Sequence, residues 1–125
     1  MIVVDIAYPR QKAEFTKRFG LNAYWSGKNH HDRRRDAEEL HAMMTAALYL
    51  AKVRRKPVDY PVDVTFLWDD RLDVDNHAAM GKCFLDAMRG HVVRDDSKRY
   101  VKSVKHQVWE GGRIRVIVEE AKNEK

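Results

Sequence analysis

The stretch that decides the fold is VDVTFLWDDRLDVDN, residues 62–76. In its first half, apolar side chains at every second position alternate with Asp63, Thr65 and Leu67, a pattern typical of a strand with one buried face. Acidic residues follow, and a helical pattern begins near Asp75. The stretch therefore predicts a strand over 62–68 that leads through an acidic cluster into a helix.

That helix is predicted over 75–89 and ends at Gly90, which can adopt the positive φ of a helix terminus. At about 100° per residue, Met80, Phe84 and Met88 fall on one side and form a core-facing surface. The opposite face is polar and carries Asp75, Ala79, Lys82 and Asp86. The polar face of this helix can therefore carry catalytic or metal-binding side chains.

Upstream of this stretch, β-branched residues predict an opening strand over 2–7. Residues 10–32 show no sustained apolar period, and we expect mostly loop with one helical turn near Phe15. Apolar residues then recur at steps of three and four, which predicts a helix over 32–52 with Asp32 as its N-cap.

Downstream, a loop over 91–99 precedes two predicted strands, over 100–109 and 113–119. We expect the two strands to form a hairpin with its turn at 110–112, because Gly111 and Gly112 tolerate positive φ. The chain as a whole then reads as an α/β (α+β) fold in the order β-α-β-α-β-β. A single small domain over 1–125 is expected, with a mixed β-sheet, two main helices and a polar tail at about 121–125.

The chain has 24 Lys and Arg against 19 Asp and Glu, a formal net charge of +5, which favours an anionic partner such as nucleic acid. The lone Cys83 cannot form an internal disulfide, and no apolar run approaches the ~20 residues that span a bilayer. We therefore expect a cytoplasmic protein without membrane contact.

The acidic residues of the junction suggest a metal site. Asp73 and Asp75 can point at one spot, and the pair Asp95 and Asp96 precedes another strand that can be folded over them. Clustered carboxylates repel unless a cation neutralises them, and Mg²⁺ with its oxygen ligands suits phosphodiester hydrolysis. Aspartates also cap helices and occupy turns, so the same residues fit a purely structural role.

Lys82 lies about two turns beyond Asp75 on the same helix face. Its ammonium group can stabilise the charge that develops on an attacked phosphate. Alternatively, it is a solvated lysine on a helix surface. The six histidines show no ligand spacing with Cys83 that would indicate zinc, and His77 is expected at the edge of the core or in a dimer interface.

These residues resemble the RusA family of Holliday junction resolvases, which are Mg²⁺-dependent homodimeric endonucleases. The resemblance rests on Asp73-Val74-Asp75-Asn76, on the stretch from Lys82 to Met88, and on Asp95-Asp96, and it covers most of the chain. It implies that Asp73, Asp75 and Asp96 bind Mg²⁺, for which Mn²⁺ can substitute. It also implies Asp95 as a fourth metal contact and Lys82 as the catalytic lysine.

Two positions depart from the family pattern. The segment between Asp75 and Lys82 is three residues longer, and Leu72 replaces a basic residue that often precedes the first aspartate, which leaves Arg71 as a substitute. The resemblance further implies DNA contacts by Lys28, Arg33, Arg34, Arg35, Arg71 and Asn76. Without it, the basic clusters read as solvated surface.

The function implied is the resolution of four-way DNA junctions by paired symmetric cuts in recombination and repair, carried out by a twofold homodimer. Two alternatives stay open: a DNA-binding protein that has lost catalysis, and a nuclease for flaps or other branched DNA. Tyr24 and Trp25 either stack on an unpaired base or pack against the sheet.

Overall fold

The computed structural model describes residues 1–25 and 27–122, except for the side chains of Tyr24 and Trp25. The expected roles of those two side chains, and the part of the polar tail from 123 onward, lie outside the described residues. The elements are β1 Ile2–Ile6, α1 Lys12–Phe19, α2 Leu21–Trp25, α3 His30–Leu50, β2 Val62–Trp68, a 3₁₀ helix Val74–His77, α4 Ala78–Met88, β3 Val101–Val108 and β4 Ile114–Glu120.

The predicted α+β class and mixed sheet are confirmed, and the order β-α-β-α-β-β holds once two short helices are added after β1. The four strands lie in the order β1-β4-β2-β3. β4 is antiparallel to both β1 and β2, whereas β3 is parallel to β2. β2 is thus paired on both sides.

The predicted hairpin between the last two strands is wrong, because β2 lies between β3 and β4. The connection at 109–113 instead passes the end of β2. There the Trp109 amide donates to the Trp68 carbonyl at 3.0 Å, and the Gly112 amide donates to the Asp69 carboxylate at 2.7 Å. Gly112 does have the expected positive φ, 73°, but the turn joins strands that are not neighbours.

The core lies on one face of the sheet, where the predicted alternation is confirmed. The apolar residues of β2 that face the helices are all fully buried: Val62, Val64, Phe66 and Trp68. Met44 and Leu48 of α3 and Met80 and Phe84 of α4 pack there as well. On the other face of the sheet, the intervening residues of β2 are only half-buried, so the architecture has two layers.

The helical turn expected near Phe15 is present as part of α1, but the expectation of mostly loop over 10–32 is wrong, because α1 and α2 occupy much of that range. Phe15, Thr16 and Phe19 of α1 are buried, and the Phe15 and Phe19 rings lie 5.0 Å apart. Such a short apolar stripe gives little periodic signal, and the helix is stabilised mainly by packing on the core.

The two main helices are found, with small changes at their ends. α3 begins at His30, and its N-cap is Asn29 instead of Asp32: the Asn29 side chain accepts a hydrogen bond from the Asp32 amide at 2.9 Å. The helix predicted from 75 begins as the 3₁₀ helix and becomes α-helical at Ala78. Gly90 has a φ of 77°, in agreement with its predicted role at the end of α4.

Candidate active site

The acidic segment, residues 69–76, leaves the end of β2 and is anchored by one buried carboxylate. The Asp70 side chain is 1% exposed. It accepts hydrogen bonds from the Tyr8 hydroxyl at 2.7 Å and from the Leu72 amide at 2.9 Å, and its nearer oxygen lies 2.8 Å from Nε2 of His77. Burial opposes ionisation, but the hydrogen bonds from His77, Tyr8 and Leu72 outweigh it, and the pKa of Asp70 is lowered.

His77 holds the other end of the acidic segment. Its ring is fully buried and stacks on Trp68, with 4.4 Å between centroids. Nδ1 faces the Val74 carbonyl at 3.1 Å while Nε2 faces Asp70. His77 was expected at the edge of the core or in a dimer interface, and it lies within the core itself. The segment between Asp70 and His77 is closed into a loop by its own side chains.

A second histidine supports Trp68 from β3. Nε1 of Trp68 donates to Nδ1 of His106 at 3.0 Å, and the His106 ring stacks on Phe66. Desolvation, together with the nearby His77, lowers the pKa of His106. Trp68 is thus fixed between two histidines, and it fixes the point at which the acidic segment begins.

Asp73 and Asp75 are exposed on this anchored loop. Asp73 stands at the N-cap of the 3₁₀ helix, yet among the described residues its side chain makes no capping hydrogen bond. The Asp73 carbonyl accepts the Asn76 amide at 3.0 Å. The capping role that would make Asp73 purely structural therefore does not account for its carboxylate.

Lys82 connects α4 to the loop that carries Asp95 and Asp96. Its ammonium group lies 3.0 Å from Asp86 and 3.7 Å from Asp96. The hydrogen bond with Asp86 is the main cause of the raised pKa of Lys82, so the group stays charged at neutral pH. The Asp96 amide donates to the Asp95 carboxylate at 2.9 Å.

Asp96 is only partly exposed, and its burial works against the charged form. Hydrogen bonding with Asp95 and its own backbone, together with the Lys82 charge, nevertheless lowers the pKa of Asp96. Asp86 is the residue of this group that the sequence reasoning placed on the polar helix face without giving it a role. Its position four residues after Lys82 was the available signal.

The described residues contain no group of three or more His, Cys, Asp or Glu side chains placed to hold a metal ion. Asp73, Asp75, Asp95 and Asp96 are thus not gathered into a ready-made cage, and their assignment as ligands stays a prediction. Mg²⁺ in phosphoryl-transfer sites is usually held by one or two carboxylates, water and a substrate phosphate. The exposed Asp73 and Asp75, and the pair Asp86 and Asp96, are suited to binding in which the protein supplies only one or two carboxylate ligands.

The predicted DNA-binding residues fall in different places. Lys28 makes an internal ion pair with the buried Asp36, which also binds Arg18 at 2.7 Å. Arg71 lines a hollow of about 490 Å³ beside Lys12 and α1. Through Asp36 of α3 and Arg18 of α1, Lys28 therefore takes part in an ion-pair cluster that holds these two helices together.

Arg33 and Arg34 lie beside Lys82. With it they line a cleft of about 550 Å³ between α3 and α4, hereafter the interhelical cleft, together with Leu21, His30, Ala37, Ala78, Ala79, Cys83 and Asp86. Arg35 is exposed and lies 3.1 Å from Asp32, and Asn76 is half-buried on the acidic segment. Two of the six predicted contacts thus share one surface with the predicted catalytic lysine.

No protein-family model matches this chain, and no curated protein is significantly similar to it. None of the described helices combines the length and apolar character required to cross a bilayer.

Proposed function

We propose that the protein is a Mg²⁺-dependent endonuclease that cuts branched DNA, and that four-way junctions are its substrate in recombination and repair. The observation that carries the proposal is the position of Lys82. Its side chain is 66% exposed, and its ammonium group contacts Asp86 of α4 and Asp96 of the following loop, at the side of a cleft lined by Arg33 and Arg34. Cationic groups that suit a phosphate thus lie next to acidic groups that suit a metal ion.

The carboxylates supply the part of the site that a hard cation requires. Asp73 and Asp75 project from a loop that Asp70 and His77 hold in place, so little ordering is needed before a ligand binds. Mg²⁺, when bound with a DNA phosphate, would polarise the phosphoryl group and acidify a water. We place Asp73, Asp75 and Asp96 as its ligands, with Asp95 beside them.

Lys82 acts on the phosphate. Its charge is shared by Asp86 and Asp96. A phosphate brought to this surface competes for the same ammonium group, which then stabilises the extra negative charge of the transition state. Because its pKa is raised, Lys82 acts as a fixed positive charge and not as a general base.

Two symmetric cuts across a junction require two sites, and a C₂ homodimer provides them. The dimer, the cytoplasmic location and a role in phage or prophage recombination belong to the proposal and follow from the resemblance to RusA-type resolvases.

The test uses synthetic four-way, flap and linear duplexes of equal length, each incubated with Mg²⁺ or with EDTA. We expect paired nicks in the four-way junction with Mg²⁺ only, and loss of cutting in Asp75→Asn. Asp59→Asn serves as the matched control, because Asp59 is exposed and pairs only with Arg94 among the described contacts. Cutting confined to flaps would replace the junction with another branched substrate.

A second candidate is a DNA-binding protein without catalysis. It is favoured by one observation: Arg33, Arg34 and Lys82 line one surface, and cationic side chains suffice to bind a DNA backbone without a metal. Tight binding of the four-way junction without cutting under Mg²⁺ or Mn²⁺ would establish this alternative.

A further inference from the structure

The interhelical cleft has one wall from each of two packed helices. His30, Arg33, Arg34 and Ala37 follow the spacing i, i+3, i+4, i+7 and so form one face of α3. Ala78, Ala79, Lys82 and Asp86 line the facing side of α4. Because the alanines are short, the helices pack while a hollow remains between them.

The chemistry of the cleft is divided between its rim and its floor. Arg33, Arg34 and Lys82 carry positive charge at the rim, and Asp86 is the acidic side chain of the lining. Two further carboxylates adjoin the rim: Glu38 lies 3.5 Å from Arg34, and Asp96 lies 3.7 Å from Lys82. Leu21, Cys83 and the three alanines supply an apolar surface. A ligand that fits both parts carries negative charge at one end and a flat or apolar body at the other.

The volume of about 550 Å³ lies within the ~300–1,000 Å³ range of small-molecule sites and far exceeds the needs of a phosphate alone. A nucleoside monophosphate has both required parts, since its phosphate suits the cationic rim and its base the small apolar side chains. We infer that the interhelical cleft binds a single nucleotide.

This inference deepens the proposed function and rests on it for its biological meaning. A base inside a duplex is stacked and cannot enter a cleft between helices, whereas a nucleotide at a branch point is extruded at lower cost. Since Lys82 also contacts Asp96, a nucleotide held here places its phosphate next to the acidic residues. The cleft then selects branched over linear DNA.

The experiment measures binding of the four deoxynucleoside 5′-monophosphates and of inorganic phosphate to the whole protein in metal-free buffer, followed by NMR and calorimetry. At least one nucleotide should bind about tenfold tighter than inorganic phosphate. Equal affinity for nucleotide and phosphate would mean a simple anion site, and no binding of either would also overturn the inference.

Two variants locate the site. Ala37→Trp fills the cleft and should weaken nucleotide binding about tenfold or more while phosphate binding persists, whereas Ala46→Trp, on an exposed position of the same helix, should not. Arg34→Ala, which removes a 73% exposed side chain, should weaken both ligands, with Arg10→Ala as its control. If Ala37→Trp and Arg34→Ala both bind like the unmodified protein, the cleft is not the site.

The junction-cutting assay keeps the two proposals separate. Nucleotide binding in a protein that cuts no DNA would contradict only the endonuclease. Cutting by a protein that binds no nucleotide would contradict only the cleft.

Discussion

Asp70 stabilises the fold through its carboxylate, which is ionised although the side chain is almost completely buried. Its donors come from three places in the chain: Tyr8 after β1, Leu72 in the acidic segment, and His77 in the 3₁₀ helix. A buried charge is stable only when it is fully paired, and loss of its charge leaves these donors poorly satisfied. The residue therefore links stability to the shape of the candidate site.

Replacing Asp70 by Asn keeps the shape and removes the charge. We expect the free energy of unfolding at pH 7 to fall by about 3 kcal/mol. Because the folded-state pKa of Asp70 lies below its ordinary value of 3.8, this stabilisation is present above that value and is lost as the pH falls through the folded pKa. Urea titrations from pH 7 to pH 2.5 should show the difference between the two proteins become smaller as the pH falls below 3.8; a constant difference would contradict the charge argument.

Replacing Lys82 by Ala separates activity from stability. The side chain is 66% exposed, and exposed ion pairs contribute at most about 1 kcal/mol, so the unfolding free energy should change little. Junction cutting should fall about 100-fold, the usual effect of removing one group that stabilises a transition state. Lys17→Ala, on an exposed position of α1, is the control, and unchanged cutting in Lys82→Ala would remove the lysine from the mechanism.

At the scale of elements, α4 comes unusually close to β3. A Cβ built on Gly81 would lie 2.6 Å from Cε1 of His106, and that ring is held by Phe66 and Trp68. The glycine is therefore a packing requirement of this helix, despite its low helix propensity.

Gly81→Ala should destabilise the protein by about 1–3 kcal/mol through overpacking. In a His106→Ala background the same change should be neutral or stabilising, since Ala favours a helix over Gly by about 1 kcal/mol. Thermal unfolding of the four proteins of this double-mutant cycle measures the coupling. Equal effects in both backgrounds would show that His106 is not the obstacle.

The elements could be predicted from the sequence where periodicity is strong. β2 was predicted with its observed bounds, and α3 and α4 within a few residues, because each has a long apolar pattern. α1 was predicted only as one helical turn near Phe15, because only three of its residues are buried. The predicted hairpin failed for another reason: strand pairing depends on which strand fills the centre of the sheet, and local turn residues near Gly112 do not encode that.

In the candidate site, too, one part could be predicted from the sequence and another part could not. Lys82 and Asp96 were placed together by motif and lie in contact. Asp70 had no predicted role beyond membership of the acidic cluster, since Tyr8, its partner, lies 62 residues away. Contacts between distant segments leave no spacing in the sequence.

For the whole molecule, charge governs the expected interaction with DNA. The net charge is +5. α3, at about 31 Å for 21 residues, has Arg33, Arg34 and Arg35 near its start, and a second basic cluster, over residues 52–56, follows its end. Junction binding should therefore weaken steeply with salt, because each phosphate contact releases a counterion.

Arg34→Ala should reduce the slope of log K against log salt by about one, the loss of one phosphate contact. Fluorescence anisotropy between 50 and 300 mM salt measures this, with Arg10→Ala expected to keep the original slope. A slope near zero for the unmodified protein would show that phosphate contacts do not drive binding.

The position of β2 between two neighbours has a consequence for backbone amide exchange with deuterium. Amides of β2 and β4 should exchange slowest, through global unfolding, while those on the outer edge of β3 should exchange early by local opening. The acidic segment continues directly from the most protected strand. Local opening at the edges of the sheet should therefore leave the aspartates of the acidic segment in position. If β2 exchanged as fast as β3, this order would be contradicted.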